Sequence, residues 1–544
     1  MSTTFTVDEC TKLKNLYLQD GLSYISRLIE LADRNSASST YGCFDRGYWH
    51  YRTADFPSGM YQEAVLPLAL AFALDAPANP FYENQRVKEL AIAGIHFAGK
   101  SSHRDGSCDD YFPFERASGA TAFSLYACTE AALILNLKDH GLLHFFKKRG
   151  TYLAESGYEE SGVLSNHKAL MALAIFNVYL VAGDTSFKKQ AEEKIEHLLS
   201  LQTSEGWFPE YEGCDPGYLT FTIDFLAKYF QKSQDSRVIA PLNRAIEFAS
   251  YFLHPDGSYG GEYGSRNTFH FLPHGFELMA QYSPFAVPCA NQFLRSIESG
   301  TRSRIDDDRI FIHYVYNYLM AYRDFCEDRT RAPIRDSNPF VQTFSEAGMI
   351  VIGSGSRTGV FSVSKGGAGK IFSEAELLFS DAGIVGETQD GIKFTSQVLS
   401  PAQHTLENEL LTVEGRAFEH RDQVFTPFLF WMFRTFLVFV ARFLPPNIVR
   451  RFLQRKTITK KKKLLPLRYT KRIVISALNR VEYTFYLEDS STRIKRLWIG
   501  SDPTFIYVAT SQPFQPGSLK AWIDLSPLLP ALNQKRTAFF ALEI

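Results

Sequence analysis

SEGWFPEYEGCDPGYLTFT, residues 204–222, stands where a short polar turn would suffice. On either side the apolar residues recur at three- and four-residue steps, the mark of amphipathic helices. The stretch instead gathers Trp207, Phe208, Tyr211 and Tyr218 beside Glu210, Glu212 and Asp215. Its EGW turn at 205 has counterparts: DGS begins at 105, ESG at 155 and DGS again at 256. A glycine turn returning about every fifty residues matches two helices plus two loops. From residue 8 to residue 328 the pattern between these turns is helical, as in ATAFSLYACTEAALIL and HKALMALAIFNVYLV. Hairpins of this kind stack as an open solenoid or as a closed ring of inner and outer helices. The loops at 47–54, 105–116, 205–218 and 256–270 all carry aromatic and charged residues and would emerge at one end. That favours the ring.

Near residue 335 the pattern changes. AGMIVIGSG, GVFSVSKGG, AELLFSDAG, ELLTVEGRAFEH, RIVISALN, VEYTFYLED and TFIYVATSQ are short β-rich runs between turn residues. The expected fold is therefore an N-terminal α/α toroid over 1–330, a linker over 331–343 and an antiparallel β-sandwich over 344–544. An insertion at 424–463 interrupts the sandwich. TPFLFWMFRTFLVFVARFLPP, 426–446, is apolar, but Pro427, Arg434 and Arg442 break it, which disfavours a spanning helix. The basic tract that follows it, to Lys463, leaves three readings, one of them a basic patch that steers an acidic polysaccharide. Another is an interfacial helix making peripheral contact with an anionic membrane through 426–463. The third is a helical insertion packed on the sandwich with a solvated basic tail.

With 544 residues, more than one domain is expected. Net charge is −1, so no global field recruits a polyanion and no nucleic-acid partner is expected. Seven scattered cysteines without a CxxC argue against a disulfide framework or a zinc site. MSTTFTVDECTKLK lacks a basic start followed by an apolar run, so the expectation is a cytoplasmic protein, or one peripheral at the inner face of the membrane. GGAGK at 366–370 lacks phosphate-loop spacing and lies in β-rich sequence.

Four clusters carry chemistry. Asn166 and His167, in SNHKAL, open a helical pattern and can bond a substrate carboxylate and offer a base; the other reading is that Ser165 or Asn166 merely caps the helix while His167 is a satisfied polar residue. Tyr218 comes one repeat later on the same rim and can exchange a proton with a substrate. DGSYGGEYGSRNTFHFLPHGFELM, 256–279, offers Arg266, Asn267 and His270 as a clamp for an anionic sugar. His274 follows His270 at metal-ligand spacing, but Pro273 between them disfavours a regular helix, so no metal site is expected. CDDYFPFERASGA, 108–120, presents Asp109, Asp110, Glu115 and Arg116 with Tyr111 and Phe112. Trp49, Gln62, Tyr111, Glu115, Arg116, Trp207, Tyr211 and Glu212 are further candidates for stacking on or bonding a sugar.

Together, Asn-His opening a helix, a tyrosine loop, an Arg/His loop and a following β domain resemble the heparinase II/III-like polysaccharide lyases and their alginate-lyase relatives. The matching stretches are SNH at 165–167, EGCDPGY at 212–218 and GSRNTFH at 264–270, with FSEAGMIVIGS and SDAGIVGE in the β domain. The resemblance implies β-elimination on a uronate-containing acidic polysaccharide or oligosaccharide, with no cofactor. Asn166 and Arg266 would neutralise the uronate carboxylate, His167 would act as base or assist it, and Tyr218, with Tyr211 as its rival, would carry the proton. His404 and His420 are the candidates for a β-domain histidine. The alternatives are a toroid glycoside hydrolase and a non-catalytic polysaccharide-binding protein of a membrane-associated assembly system. The hydrolase would pair Asp109 or Glu115 with Glu210, Glu212, Asp215 or Glu262.

Overall fold

Helices that are apolar on every side have to lie inside, and the chain has a set of them. The computed structural model describes residues 4–544 apart from Ala78, 157–163, Glu212, 305–306, 336–337, 401–402, 422–423, 446–447, 450–461, 506–507 and 516–518. Among the described residues the inner helices are Val65–Ala73, Ser118–Ile134, Ser165–Ala182, Pro216–Ser233, Pro273–Leu278 and Phe311–Arg323. Each packs on the next, and Phe311–Arg323 packs back on Val65–Ala73. The ring is closed. Amphipathic helices such as Gln85–Lys100, Thr185–Leu199 and Ala286–Glu298 lie outside it, each with a buried stripe facing inward. At the seam Thr4 pairs with Thr330, and buried Arg329 is ion-paired with Glu277.

The glycine turns have one structural job. Gly106, Gly206 and Gly257 adopt φ of 92°, 98° and 82°, which an L side chain resists. A Cβ there would lie 2.8 Å from Arg149 N, 2.6 Å from Arg244 O and 2.7 Å from Gln292 O. Each turn thus presses against the outer helix of the following hairpin. Gly157 of the ESG turn lies outside the described residues.

After Arg323 the chain turns to strands. β1 (Phe340–Phe344), β2 (Met349–Ser354), β3 (Arg357–Ser362), β4 (Ala368–Ser373) and β5 (Glu376–Asp381) form an antiparallel meander. β1 begins inside the segment expected as linker. Alternation decides what each face meets. Ile350, Ile352 and Phe361 pack on the second sheet, while Met349, Val351 and Val360 join the core of the toroid. The second sheet is built from β6 (Gly383–Thr388), β7 (Lys393–Thr395), β8 (His404–Glu407), β9 (Leu410–Glu419), β10 (Leu464–Val474), β11 (Arg480–Leu487), β12 (Ile494–Gly500), β13 (Ile523–Asp524) and β14 (Thr537–Glu543). The described pairings are antiparallel. TFIYVATSQ is not a strand in its described part: Ala509–Ser511 is a 3₁₀ turn, and Thr510 O accepts from Phe269 N of the toroid at 3.0 Å.

The insertion leaves the sheet between paired neighbours. Leu464 of β10 sits opposite Phe418 of β9. Pro427–Phe439 is a helix, and it packs against the toroid rim rather than the sandwich, with Phe433, Phe436 and Leu437 in a small cluster with Phe112. No helix among the described residues is long and apolar enough to cross a membrane.

Candidate active site

The segments 101–117, 200–215 and 251–272, which lead into inner helices, are long, whereas 183–184, which leads out, is short. The long loops therefore crowd one mouth of the ring, where the inner helices begin. Helix N-termini present unpaired N–H groups and a partial positive charge, so this mouth favours an anionic ligand.

Asn166 is the second residue of Ser165–Ala182 and is buried. Its backbone N–H and its Nδ2 donate to the two oxygens of Glu210 at 2.7 and 2.8 Å. Burial pushes the Glu210 carboxyl well above the usual carboxylate range, against the pull of these Asn166 donors. Asn166 is thus positioned by a carboxyl that sequence reasoning assigned to a hydrolase. His167 lies one residue on, its ring edge-on to Phe123 at 5.8 Å and close against Gly119.

Asp215 caps the helix Pro216–Ser233 by accepting Tyr218 N at 3.0 Å. It also accepts Arg266 N at 2.8 Å and the Thr268 hydroxyl. One carboxylate therefore ties the tyrosine loop to the arginine loop. Arg266 lies over the Tyr211 ring, its central carbon 3.6 Å from the centroid, and Tyr211 stands 6.5 Å from Tyr218 between ring centres. Asn166, Tyr211, Tyr218 and Arg266 are brought together. Among the described residues no group bonds the Tyr218 hydroxyl. Burial, then the neighbouring Tyr211 and Asp215, push its pKa well above that of an ordinary tyrosine. Burial likewise raises Tyr211, but Arg266 opposes it.

An aromatic floor lies beneath. Phe221 contacts Tyr218, His270 and His313, and Phe123 stacks on His313 at 4.6 Å. His313 Nδ1 is 2.9 Å from Glu63, a fully buried carboxyl that burial holds above its usual range. Sequence reasoning did not single out this pair. A lone histidine in an apolar helix gives no sign of its partner 250 residues away.

Several expected sugar contacts are spent elsewhere. Buried Gln62 accepts from Phe44 N and donates to Gly42 O and Gly94 O. Trp207 is buried, its indole N–H on Glu205. Trp49 donates to Leu31 O at 2.9 Å. His270, expected in the clamp, has its two ring nitrogens bonded by Tyr314 and Thr510, and burial pushes its pKa well below the usual imidazole value. His274 bonds Asp324 and shares no partner with His270. Asn267 donates to Phe505 O. Glu115 accepts the N–H groups of Asp110 and Tyr111, and Arg116 pairs with Asp105 at 3.2 Å. Tyr111 is exposed at the rim beneath the Arg309 guanidinium. Glu212 lies outside the described residues.

The sandwich reaches into the mouth. Lys365, buried, donates to Glu262 O, Gly264 O and the Asn267 side chain. Ser511 donates to Arg266 O at 2.9 Å. His404 is on exposed β8, whereas His420 packs edge-on against Phe505 at 4.7 Å.

No family model matches the sequence, and no curated protein matches it. Solved structures do. Chondroitin AC lyase of Streptomyces coelicolor A3, in complex with chondroitin sulphate, aligns with TM-score 0.54 and 10% identity over 91% of this chain and 71% of that chain. Paenibacillus xanthan lyase aligns with TM-score 0.51 and 10% identity over 92% of this chain and 47% of that chain. This chain has the fold of these polysaccharide lyases. It spans about half the length of the xanthan lyase. In this lyase fold the mouth of the toroid, walled by the sandwich, is where the residues described above converge. Identity of 10% makes the likeness one of architecture, so the reaction has to be argued from the side chains.

Proposed function

We propose that the chain is a polysaccharide lyase that cleaves a uronate-containing acidic polysaccharide by β-elimination. The observation carrying this reading is the Tyr218 hydroxyl at the toroid mouth. No described group bonds it, and like any tyrosine below about pH 10 it carries its phenolic proton at neutral pH.

Five of the six carboxylates named for a hydrolase are engaged, and the sixth, Glu212, lies outside the described residues. Asp109 accepts from Phe114 N and Arg116 N, and Glu115 from two further backbone N–H groups. Glu210 holds Asn166, Asp215 holds the Arg266 loop, and Glu262 accepts from Ser380. Glycoside hydrolysis requires two carboxyl groups facing the scissile bond. These five face their own backbone and side chains.

In the elimination a base takes the C5 proton of the uronate. The C4–oxygen bond breaks, its electrons pass to the leaving oxygen, and a C4=C5 double bond forms. Negative charge gathers on the carboxylate beside C5, and groups aimed at that charge supply the largest catalytic effect. Asn166, Arg266 and the inner-helix N-termini fill that role. His167 takes the C5 proton and Tyr218 gives its own to the leaving oxygen, so no water is consumed.

Purified protein incubated with a panel of acidic polysaccharides is expected to raise the ultraviolet absorbance of unsaturated uronate. Tyr218→Phe and His167→Ala should each remove the rise. New reducing ends with flat absorbance would replace this reading with hydrolysis.

A further inference from the structure

The insertion helix is amphipathic the wrong way round for a solvated helix. Its ion pair faces inward, where Arg434 pairs with Asp55 of the toroid at 3.2 Å. Leu437 is its only fully buried residue. The outer side carries Phe428, Trp431 and Phe439, exposed by 66, 62 and 70%, with Met432, Val440 and Phe443 beside them. A contiguous apolar surface of this kind on a soluble domain marks an interaction site.

Three observations select the partner. The helix has 13 residues, hence a length of about 20 Å, short of the roughly 30 Å core of a bilayer. It can lie on a membrane but not cross one. Phenylalanine and tryptophan beside a cationic flank are the composition of helices that sit at the headgroup level. Between Arg442 and Lys463 the sequence has nine Lys and Arg and no Asp or Glu. That run complements an anionic surface, and each cation near such a surface contributes about 1 kcal/mol.

The way the insertion is joined to the fold points the same way. It leaves and re-enters the sheet between directly paired strands, where Glu419 N donates to Lys463 O at 2.8 Å. A short hairpin turn would close β9 onto β10, so the sheet does not need the insertion.

We infer that the helix Pro427–Phe439 and the apolar residues flanking it dock this protein on an anionic lipid surface, apolar side down. The docked helix abuts Phe112 at the rim of the toroid mouth, which holds the mouth beside the lipid. Acid polysaccharide and a second copy of the chain are the competing occupants.

The full-length protein would be floated with vesicles of phosphatidylcholine alone and of phosphatidylcholine with about one-third phosphatidylglycerol. Binding is expected only to the anionic vesicles and should weaken as salt is raised. The Phe428→Ser/Trp431→Ser/Phe439→Ser triple variant should lose at least about tenfold in partitioning. A second variant, with residues 422–461 replaced by Asn-Gly, should lose it entirely while retaining the wild-type thermal transition. Equal partitioning of wild type and triple variant would overturn the proposal. So would absence of vesicle binding, whether the protein then dimerises through this face or binds soluble polysaccharide through the insertion. Because the readout is partitioning, it stands or falls independently of whether the lyase assay is positive.

Discussion

The Arg266 guanidinium lies over the ring of Tyr211, its central carbon 3.6 Å from the ring centroid. Arginine is planar and can stack while its edge N–H groups remain directed at a carboxylate; lysine cannot. Arg266→Lys should therefore lower kcat/KM about tenfold and Arg266→Ala by a further factor of about ten or more. Tyr211→Phe keeps the stacking ring and should stay near wild type, whereas Tyr211→Ala should resemble Arg266→Ala. Loss of turnover in Tyr211→Phe would transfer the proton-carrying role from Tyr218 to Tyr211.

Tyr218→Phe removes only an oxygen. If that oxygen protonates the leaving group, kcat should fall by about 10²–10⁴ with KM little changed. A rise in KM at unchanged kcat would make Tyr218 a binding residue. Initial rates over a range of substrate concentrations separate the two.

Gly206 and Gly257 hold φ of 98° and 82° with backbone carbonyls packed where a Cβ would go. Replacing either with alanine should cost about 2 kcal/mol or more, read as a lowered urea midpoint at unchanged slope. Gly300 also has positive φ, at 73°, but no atom lies within 4 Å of its Cβ position. Gly300→Ala should be milder, which isolates the packing contribution.

Burial holds Lys365 at about 7, well below an ordinary lysine, although Asp215 and Glu262 pull it upward. Between pH 7 and about pH 10 the unfolded chain binds a proton at this position that the folded chain has lost. Stability relative to Lys365→Met should then rise with pH across that window, by at most about 1.4 kcal/mol per pH unit. Urea titrations of both proteins at several pH values measure the difference. A difference independent of pH would mean that Lys365 stays charged on its three acceptors throughout.

Much of the architecture was legible because it follows from local rules. Three-and-four spacing and a recurring glycine turn identified hairpins, and short β-rich runs between turn residues identified the sheets. Ring closure was legible only indirectly, from loops of similar character at one end. The site was harder, because the residue types that bind sugars also staple loops. Gln62, Trp207 and His270 read as ligand contacts but are buried on Phe44, Glu205 and Tyr314. Glu210 read as a candidate acid but holds Asn166, 44 residues earlier in the chain. Lys365 could not be found at all, since its partners are about a hundred residues away in the toroid. The described part of TFIYVATSQ shows the converse: despite its β propensity, Ala509–Ser511 is a 3₁₀ turn whose Ser511 bonds the Arg266 loop.

Closure of the inner helices upon themselves also changes how the toroid comes apart. A linear array of hairpins has two ends, and its terminal units fray first, each with its own stability. Here the last inner helix is the neighbour of the first, and Thr4 is paired with Thr330, so no unit is terminal. Removing one hairpin would expose two faces at once and leave a gap the others cannot span. Loss of structure should accordingly be all-or-none across the ring, with amide exchange in Val65–Ala73 and Phe311–Arg323 slowing to a common rate. The number of hairpins becomes a fixed property of the fold, set by the circumference that shuts, rather than a length that can grow or shrink by one repeat.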